Sequence, residues 1–312
     1  MVAAFAPRWL AVSMPGADDP LTAIRSRLAA HARPDLRTPI DGLYLSAVVE
    51  PDAVPEFSLT EPILVVMAQG GKQLTVGDRT YEYRAGDCLV VTADLPVTGH
   101  YLDVGAGRPA LSLGLALSPA AVADLILRMP PRRSARTKDP ASAIATATAD
   151  HDLLDAVRRL VQLLDRPGDT AVLAPLIKQE ILWRALTGPL GDVVRQIGLA
   201  DGDLAHVRRA VAWIRDHYAE PITVDHVASL AGMSPSTLHR RFRAVTALSP
   251  VQFQKQIRLQ HARRLLLAET GDVASVGHAV GYDSSSQFTR EYRRMFGHPP
   301  GRDRLRLKTA RG

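Results

Sequence analysis

Nine polar side chains towards the C-terminal end have the types and spacing for recognition chemistry. Ser236, His239, Arg240 and Arg243 fall in one short stretch; Ser285, Ser286, Gln287, Arg290 and Arg294 fall in another. At helical spacing such hydroxyl, amide and guanidinium groups share one face, which suits base edges and phosphate oxygens in a DNA groove. Arg240 and Arg290 are the expected guanine readers, because the guanidinium fork matches two acceptors on that base; either can hold a phosphate instead. Serine specifies poorly. Taken singly, each stretch is better read as an ordinary solvated helix face.

Other reactive chemistry is sparse. No glycine-rich phosphate loop, nucleophile elbow or zinc-type cysteine cluster occurs in the chain, which argues against an enzyme. The lone cysteine, Cys88, cannot form an internal disulfide. It reads either as a small buried hydrophobe or as a thiol that senses electrophiles, with Arg79 or Arg84 supplying the positive charge a thiolate needs.

These residues must be positioned by elements that the chain spells out. Its 312 residues allow two domains, and 46% hydrophobic with 22% charged residues is ordinary for a globular protein. Charge is uneven: Asp203 to Gly312 holds 18 lysines and arginines against nine acids, while the rest is mildly acidic, so a polyanion partner is expected for one part only. No signal peptide and no spanning run are evident, so a cytoplasmic protein with no membrane partner is expected.

Thr22 to His31 reads as a helix. Extended runs follow at 43–49, 63–68, 72–76, 79–83, 88–92 and 110–116, with Gly77-Asp78 as a two-residue hairpin connection. Such closely spaced strands favour a small sandwich or barrel. Its interior would be the effector pocket, lined by Ile63, Val65, Met67, Tyr81, Tyr83, Cys88 and Val90; the same residues fit an ordinary core. Ser118-Pro119 opens a helix, and 130–150 reads as a loop. Apolar stripes at Leu153–Leu164 and Leu173–Leu186 fit either a homodimer interface or packing on the barrel.

The most informative feature is an internal repeat. Val224, Val227, Leu230 and Gly232 recur as Val273, Val276, Ala279 and Gly281 at an offset of 49; Leu238, Phe242 and Val245 recur as Phe288, Tyr292 and Met295 at an offset of 50. Each copy reads as helix, glycine turn, second helix, with Ser234-Pro235 and Ser284…Gln287 as caps. The nine polar residues lie opposite the apolar stripe of the second helix in each copy. Two such faces in a basic domain point to major-groove contact. The segment from Ser249-Pro250 to about Ala268 is a long helix that fixes the spacing of the copies, leaving Lys255, Arg258, Arg263 and Arg264 for phosphates.

Val207 to Leu307 resembles the AraC/XylS family of bacterial transcription regulators. The likeness is strongest over 272–300, in Gly281-Tyr282, Ser286, Phe288, Arg290, Phe296 and Gly297-His298-Pro299-Pro300. It implies base reading by Ser236, His239 and Arg240 in the first unit and by Ser285, Ser286, Gln287 and Arg290 in the second. The stretches TEPILVVMAQGGKQLTVGDRTYEYRAGDCLVVTADLPVTG and LAPLIKQEILWRALTGPLG are similar to the N-terminal domain of one subgroup, implying a cupin-like barrel followed by helices. A cupin metal set needs a His-x-His pair, a Glu and a later His. Only Glu82 and His100 remain of it, so no metal and no cofactor is expected, and His100 reads as a surface or hydrogen-bonded residue.

The expected fold is therefore α+β: a cupin-like sensory and dimerisation domain over 1–200, then an all-α double helix-turn-helix domain over 201–312. The expected partners are double-stranded DNA and a small-molecule effector, with RNA polymerase and a second copy of the chain as further candidates. Two rivals are a cupin-type enzyme tethered to DNA and an architectural DNA binder without effector control.

Overall fold

The computed structural model describes residues 19–49, 55–105, 107–129, 142–199, 203–268 and 272–309. Most of the expected 130–150 loop, and residues 201–202 of the expected domain boundary, lie outside them.

Asp19 caps α1 (Pro20–His31) by accepting from the Leu21 N–H, and Pro20 takes the first position, where its missing donor costs nothing. Eight strands follow: β1 (Leu43–Val48), β2 (Glu56–Leu59), β3 (Ile63–Gln69), β4 (Gly71–Val76), β5 (Arg79–Arg84), β6 (Asp87–Val91), β7 (Pro96–Leu102) and β8 (Ala110–Ala116). After α2 (Pro119–Arg128) comes β9 (Ile144–Thr148), then α3 (His151–Gln162), α4 (Pro167–Thr187) and α5 (Gly191–Gly198). The strands make two antiparallel sheets, ordered β1-β8-β3-β6-β9 and β2-β7-β4-β5. β4 and β5 join through Gly77-Asp78, with Gly77 at φ 58.

Strands β2, β7 and β9 were not expected. β9 corrects the 130–150 loop: Ile144, Thr146 and Thr148 alternate with two alanines of low strand preference, and the segment pairs with β6 from Asp87↔Thr148 to Val91↔Ile144.

The five-stranded sheet is covered on both faces. Leu64, Val66, Cys88 and Val90 meet α1, α3 and α4, burying Ile24, Leu28, Leu160 and Ile181 in one core. The α3 stripe is thus used up on its own barrel. In α4, Val172, Leu173 and Leu176 stay exposed. The opposite face, with Met67, Leu89 and Val91, meets Leu74, Val76, Tyr83 and Val97 of the second sheet.

The remaining helices are α6 (Asp203–Asp216), α7 (Val224–Leu230), α8 (Pro235–Thr246), α9 (Pro250–Ala268), α10 (Val273–Ala279), α11 (Ser285–Phe296) and α12 (Pro300–Thr309). Val207, Val211, Ile214, Phe242 and Phe253 extend the inter-sheet core into this half. Phe288, Tyr292 and Phe296 form a further core with Leu259 and Leu266.

Candidate functional site

The two helix-turn-helix units form as the repeat requires. In each, a glycine at positive φ turns the chain between helices: Gly232 at 69° and Gly281 at 89°. Ser234 Oγ accepts from the Thr237 N–H and Ser284 Oγ from the Gln287 N–H, both at 3.4 Å, starting α8 and α11. Leu238, Phe242 and Val245 bury one side of α8; Phe288 and Tyr292 bury that of α11, with Met295 half-buried. All nine expected contact residues are exposed: Ser236, His239, Arg240 and Arg243 on α8, and Ser285, Ser286, Gln287, Arg290 and Arg294 on α11. The structure gathers them into two groups, one per unit. Arg243 alone leans back towards the barrel, 3.7 Å from Asp78.

The helix between the units, α9, does more than space them. Arg258 donates to the carbonyls of Tyr218 (2.6 Å), Glu220 (2.9 Å), Ala219 (3.2 Å) and Gly281 (2.8 Å), fastening the turn that follows α6 to the turn of the second unit. A Cβ on Gly281 would stand 2.1 Å from the Ala219 oxygen, so this turn accepts only glycine. Arg263 pairs at 2.9 Å with Asp303, which is 1% exposed and also accepts from the Tyr292 hydroxyl at 2.9 Å. Its guanidinium lies 4.8 Å from the Phe296 ring and 5.1 Å from the Phe57 ring. Arg258 and Arg263, expected at phosphates, are therefore structural. A sequence shows an arginine on an amphipathic helix but not the carbonyls or carboxylate that will absorb it. Arg264 is exposed and Lys255 half-buried.

A cavity of about 1380 Å³ lies between the sheets and opens towards the C-terminal helices. Of the seven residues expected there, Ile63, Val65 and Tyr83 line it. Met67 belongs to the adjoining core, and the Tyr81 hydroxyl is 2.7 Å from Ser142 Oγ. Cys88 and Val90 face the opposite way, onto the helices; Leu89 and Val91 take the cavity side of β6. The correction follows from the pleat: in a strand buried on both faces, alternation does not tell which face is interior.

The cavity also holds a cation that was not anticipated. Lys72 Nζ lies 2.6 Å from Glu56 Oε2, donates to the Tyr101 hydroxyl at 3.2 Å, and sits 4.5 Å above the Tyr101 ring. Gly99 makes the room: a Cβ there would stand 2.6 Å from Lys72 Cε. Burial works to lower the ammonium's pKa, but Glu56, helped by Tyr101 and Tyr83, outweighs it and holds the group above the ordinary lysine value. Burial pushes the neighbouring Tyr83 phenol up to about 12. The available signal was parity, since Lys72 shares a strand face with Leu74 and Val76. The helical half closes part of the cavity through Gln260, Arg263 and Arg264 of α9 and Arg215 of α6, the last held by Asp94 at 2.5 Å.

Cys88 donates its S–H to the Ala147 carbonyl at 3.3 Å, and burial, then Asp87 and Asp150, push its pKa up to about 11. The arginines expected to activate it are engaged elsewhere: Arg79 donates to the Ala244 carbonyl at 2.8 Å, and Arg84 pairs with Glu82 and Asp103. Glu82 and His100 both stand opposite Gln73 in the second sheet. Among the described residues no three potential metal ligands come together, and no helix is long and apolar enough to cross a membrane.

Comparison with known proteins fits this arrangement. Residues 39–193 match the family model of the AraC-type transcriptional regulator N-terminus, and residues 227–306 match that of a helix-turn-helix domain. The chain belongs to the AraC/XylS family of transcription regulators. Within the family it is 32% identical to the HTH-type transcriptional activator RhaS of Salmonella arizonae over 157 residues, 49% of this chain and 56% of that protein. For RhaS of Salmonella typhimurium the figures are 31% over 161 residues, 50% and 58%. The chain thus spans little more than half the length of these curated relatives. Apo ToxT of Vibrio cholerae superposes with a TM-score of 0.55 at 8% identity, over 86% of this chain and 99% of that one. Wild-type ToxT bound to an unsaturated fatty acid gives 0.51 at 9%, over 85% and 94%. At such identity the likeness is one of fold.

Proposed function

We propose that this AraC/XylS member is a sequence-specific DNA-binding transcription regulator, controlled by a small molecule in the inter-sheet cavity, and that it is not an enzyme. The carrying observation is that all nine polar residues on α8 and α11 are exposed, on the second helices of a duplicated unit within the basic third of the chain. Arg240 and Arg290 are the guanine readers, with Ser236, His239, Ser285, Ser286 and Gln287 beside them on the base-reading faces. The effector is an amphipathic molecule. Apolar residues such as Ile63, Val65, Leu74 and Leu89 line part of the cavity, and Lys72, Arg263 and Arg264 are among its polar points; the fatty acid in the ToxT neighbour is a ligand of this kind. The exposed turn of Val172, Leu173 and Leu176 on α4 is the surface we assign to a homodimer. A chromosomal target places the protein in the cytoplasm, where RNA polymerase is a further partner.

Genome-wide binding tests the reading. The wild-type chain is expected at discrete sites sharing a motif, and the Arg240→Ala/Arg290→Ala double variant at none. On an isolated site each single substitution should cost about 1–3 kcal/mol and relax preference at one base position. Broad binding, unchanged in the double variant, would overturn it.

A further inference from the structure

We infer that Gln260 of α9 is a ligand-binding residue: its side-chain amide donates to an oxygen of the effector, so the bound molecule bridges the barrel and the helix that joins the two DNA-binding units. This rests on the cavity being the effector site.

Gln260 is 6% exposed, and its Nε2 has no hydrogen-bond partner. A buried N–H is costly to leave unpaired, so such a group calls for a specific explanation. The same helix supplies the contrast. Gln254, also 6% exposed, donates to the carbonyls of Tyr218 at 3.0 Å and Glu220 at 2.6 Å. A glutamine buried on α9 is thus satisfied where the neighbouring backbone offers acceptors. Gln260 stands in the cavity wall, with its Nε2 beneath the surface and no acceptor in reach.

Within that cavity Lys72 is already matched by Glu56 and Tyr101, and Arg263 by Asp303, whereas the Gln260 amide is a buried donor without a partner. With Ile63, Val65, Leu74 and Leu89 among the walls, the complementary molecule is mainly apolar and carries a carbonyl, carboxylate or similar oxygen at its α9 end. Arg258, two residues before Gln260, fastens the turn between α6 and α7 to the second unit, so a ligand held by Gln260 engages the helix on which the spacing of the two units depends.

The test is fluorescence titration of the full chain with 8-anilinonaphthalene-1-sulfonate, which combines apolar rings with sulfonate oxygens. The wild-type chain should bind saturably. Val65→Phe, which puts a phenyl ring into the cavity between the sheets, should weaken binding at least tenfold, and Gln260→Leu by about tenfold. The melting temperature of ligand-free Gln260→Leu should stay level or rise, because it removes an unpaired donor while keeping the apolar stem. Gln260→Glu, which opposes the sulfonate charge, should bind at least as poorly as Gln260→Leu.

If Val65→Phe loses the probe while both Gln260 variants keep wild-type affinity, the inference falls and the cavity stands as the site. If Val65→Phe binds like wild type, or the wild-type chain does not bind saturably, the site reading fails and takes the inference with it. A fall of several degrees in the melting temperature of Gln260→Leu would assign Gln260 to packing and overturn the inference as well.

Discussion

The two helix-turn-helix units are built alike and held differently. The first shares its core with the barrel: Val227, Leu238, Phe242 and Val245 lie in one cluster with Leu89, Val91 and Val97. The β4–β5 hairpin also grips the end of α8. Arg79 donates to the Ala244 carbonyl at 2.8 Å, and a Cβ on Gly77 would stand 2.4 Å from the Ala247 oxygen. Ala247 is itself left-handed at φ 58, where the second unit has Gly297 at φ 79. The second unit keeps a core of its own and meets the barrel through Phe57, edge-on to Phe296 at 4.7 Å. A duplicated motif has therefore not been duplicated in its coupling. The barrel half holds one copy directly and the other largely by way of α9.

The comparison is broken most severely from the second unit. Asp303→Ala strands the buried Arg263 guanidinium, and removing one partner of a buried pair costs about 3–5 kcal/mol. Urea unfolding should show that loss, and hydrogen exchange should place the loosening in α10–α12; equal loosening of α7 and α8 would erase the distinction. Gly77→Ala attacks the first unit. Overpacking against Ala247 and a left-handed alanine together should cost about 2–4 kcal/mol, with protection lost in α8 and the hairpin. Arg79→Met is the finest cut. It removes one charge-assisted hydrogen bond from a partly exposed site, worth about 1–2 kcal/mol, and the second unit should not register it.

The helical half was the more legible. Its apolar stripes, serine caps and turn glycines are local signals, and they set which face of α8 and α11 is exposed. The barrel depends on pairing, which is not local. β2 is four residues with no β-branched side chain, and β7 begins with a proline and contains Gly99, so neither advertises a strand. Gly99 has its explanation in Lys72, one strand away. Cys88 and Val90 were placed in the cavity because composition marks a strand as buried without saying on which side. Gln260 looked like any polar residue on a long helix; that it lacks a partner is a property of the space around it.

Arg258 has a consequence for the proposed DNA site. Its four carbonyl acceptors lie on the turn between α6 and α7 and on the turn of the second unit, so the reading heads are set at a fixed phase. One base pair inserted between half-sites turns the second by about a tenth of a helical turn. Hinged heads could swivel to follow. These cannot, so the duplex must bend or twist to fit, at a cost on the order of 1–6 kcal/mol. Operators for this protein should therefore tolerate a changed base more readily than a changed spacing.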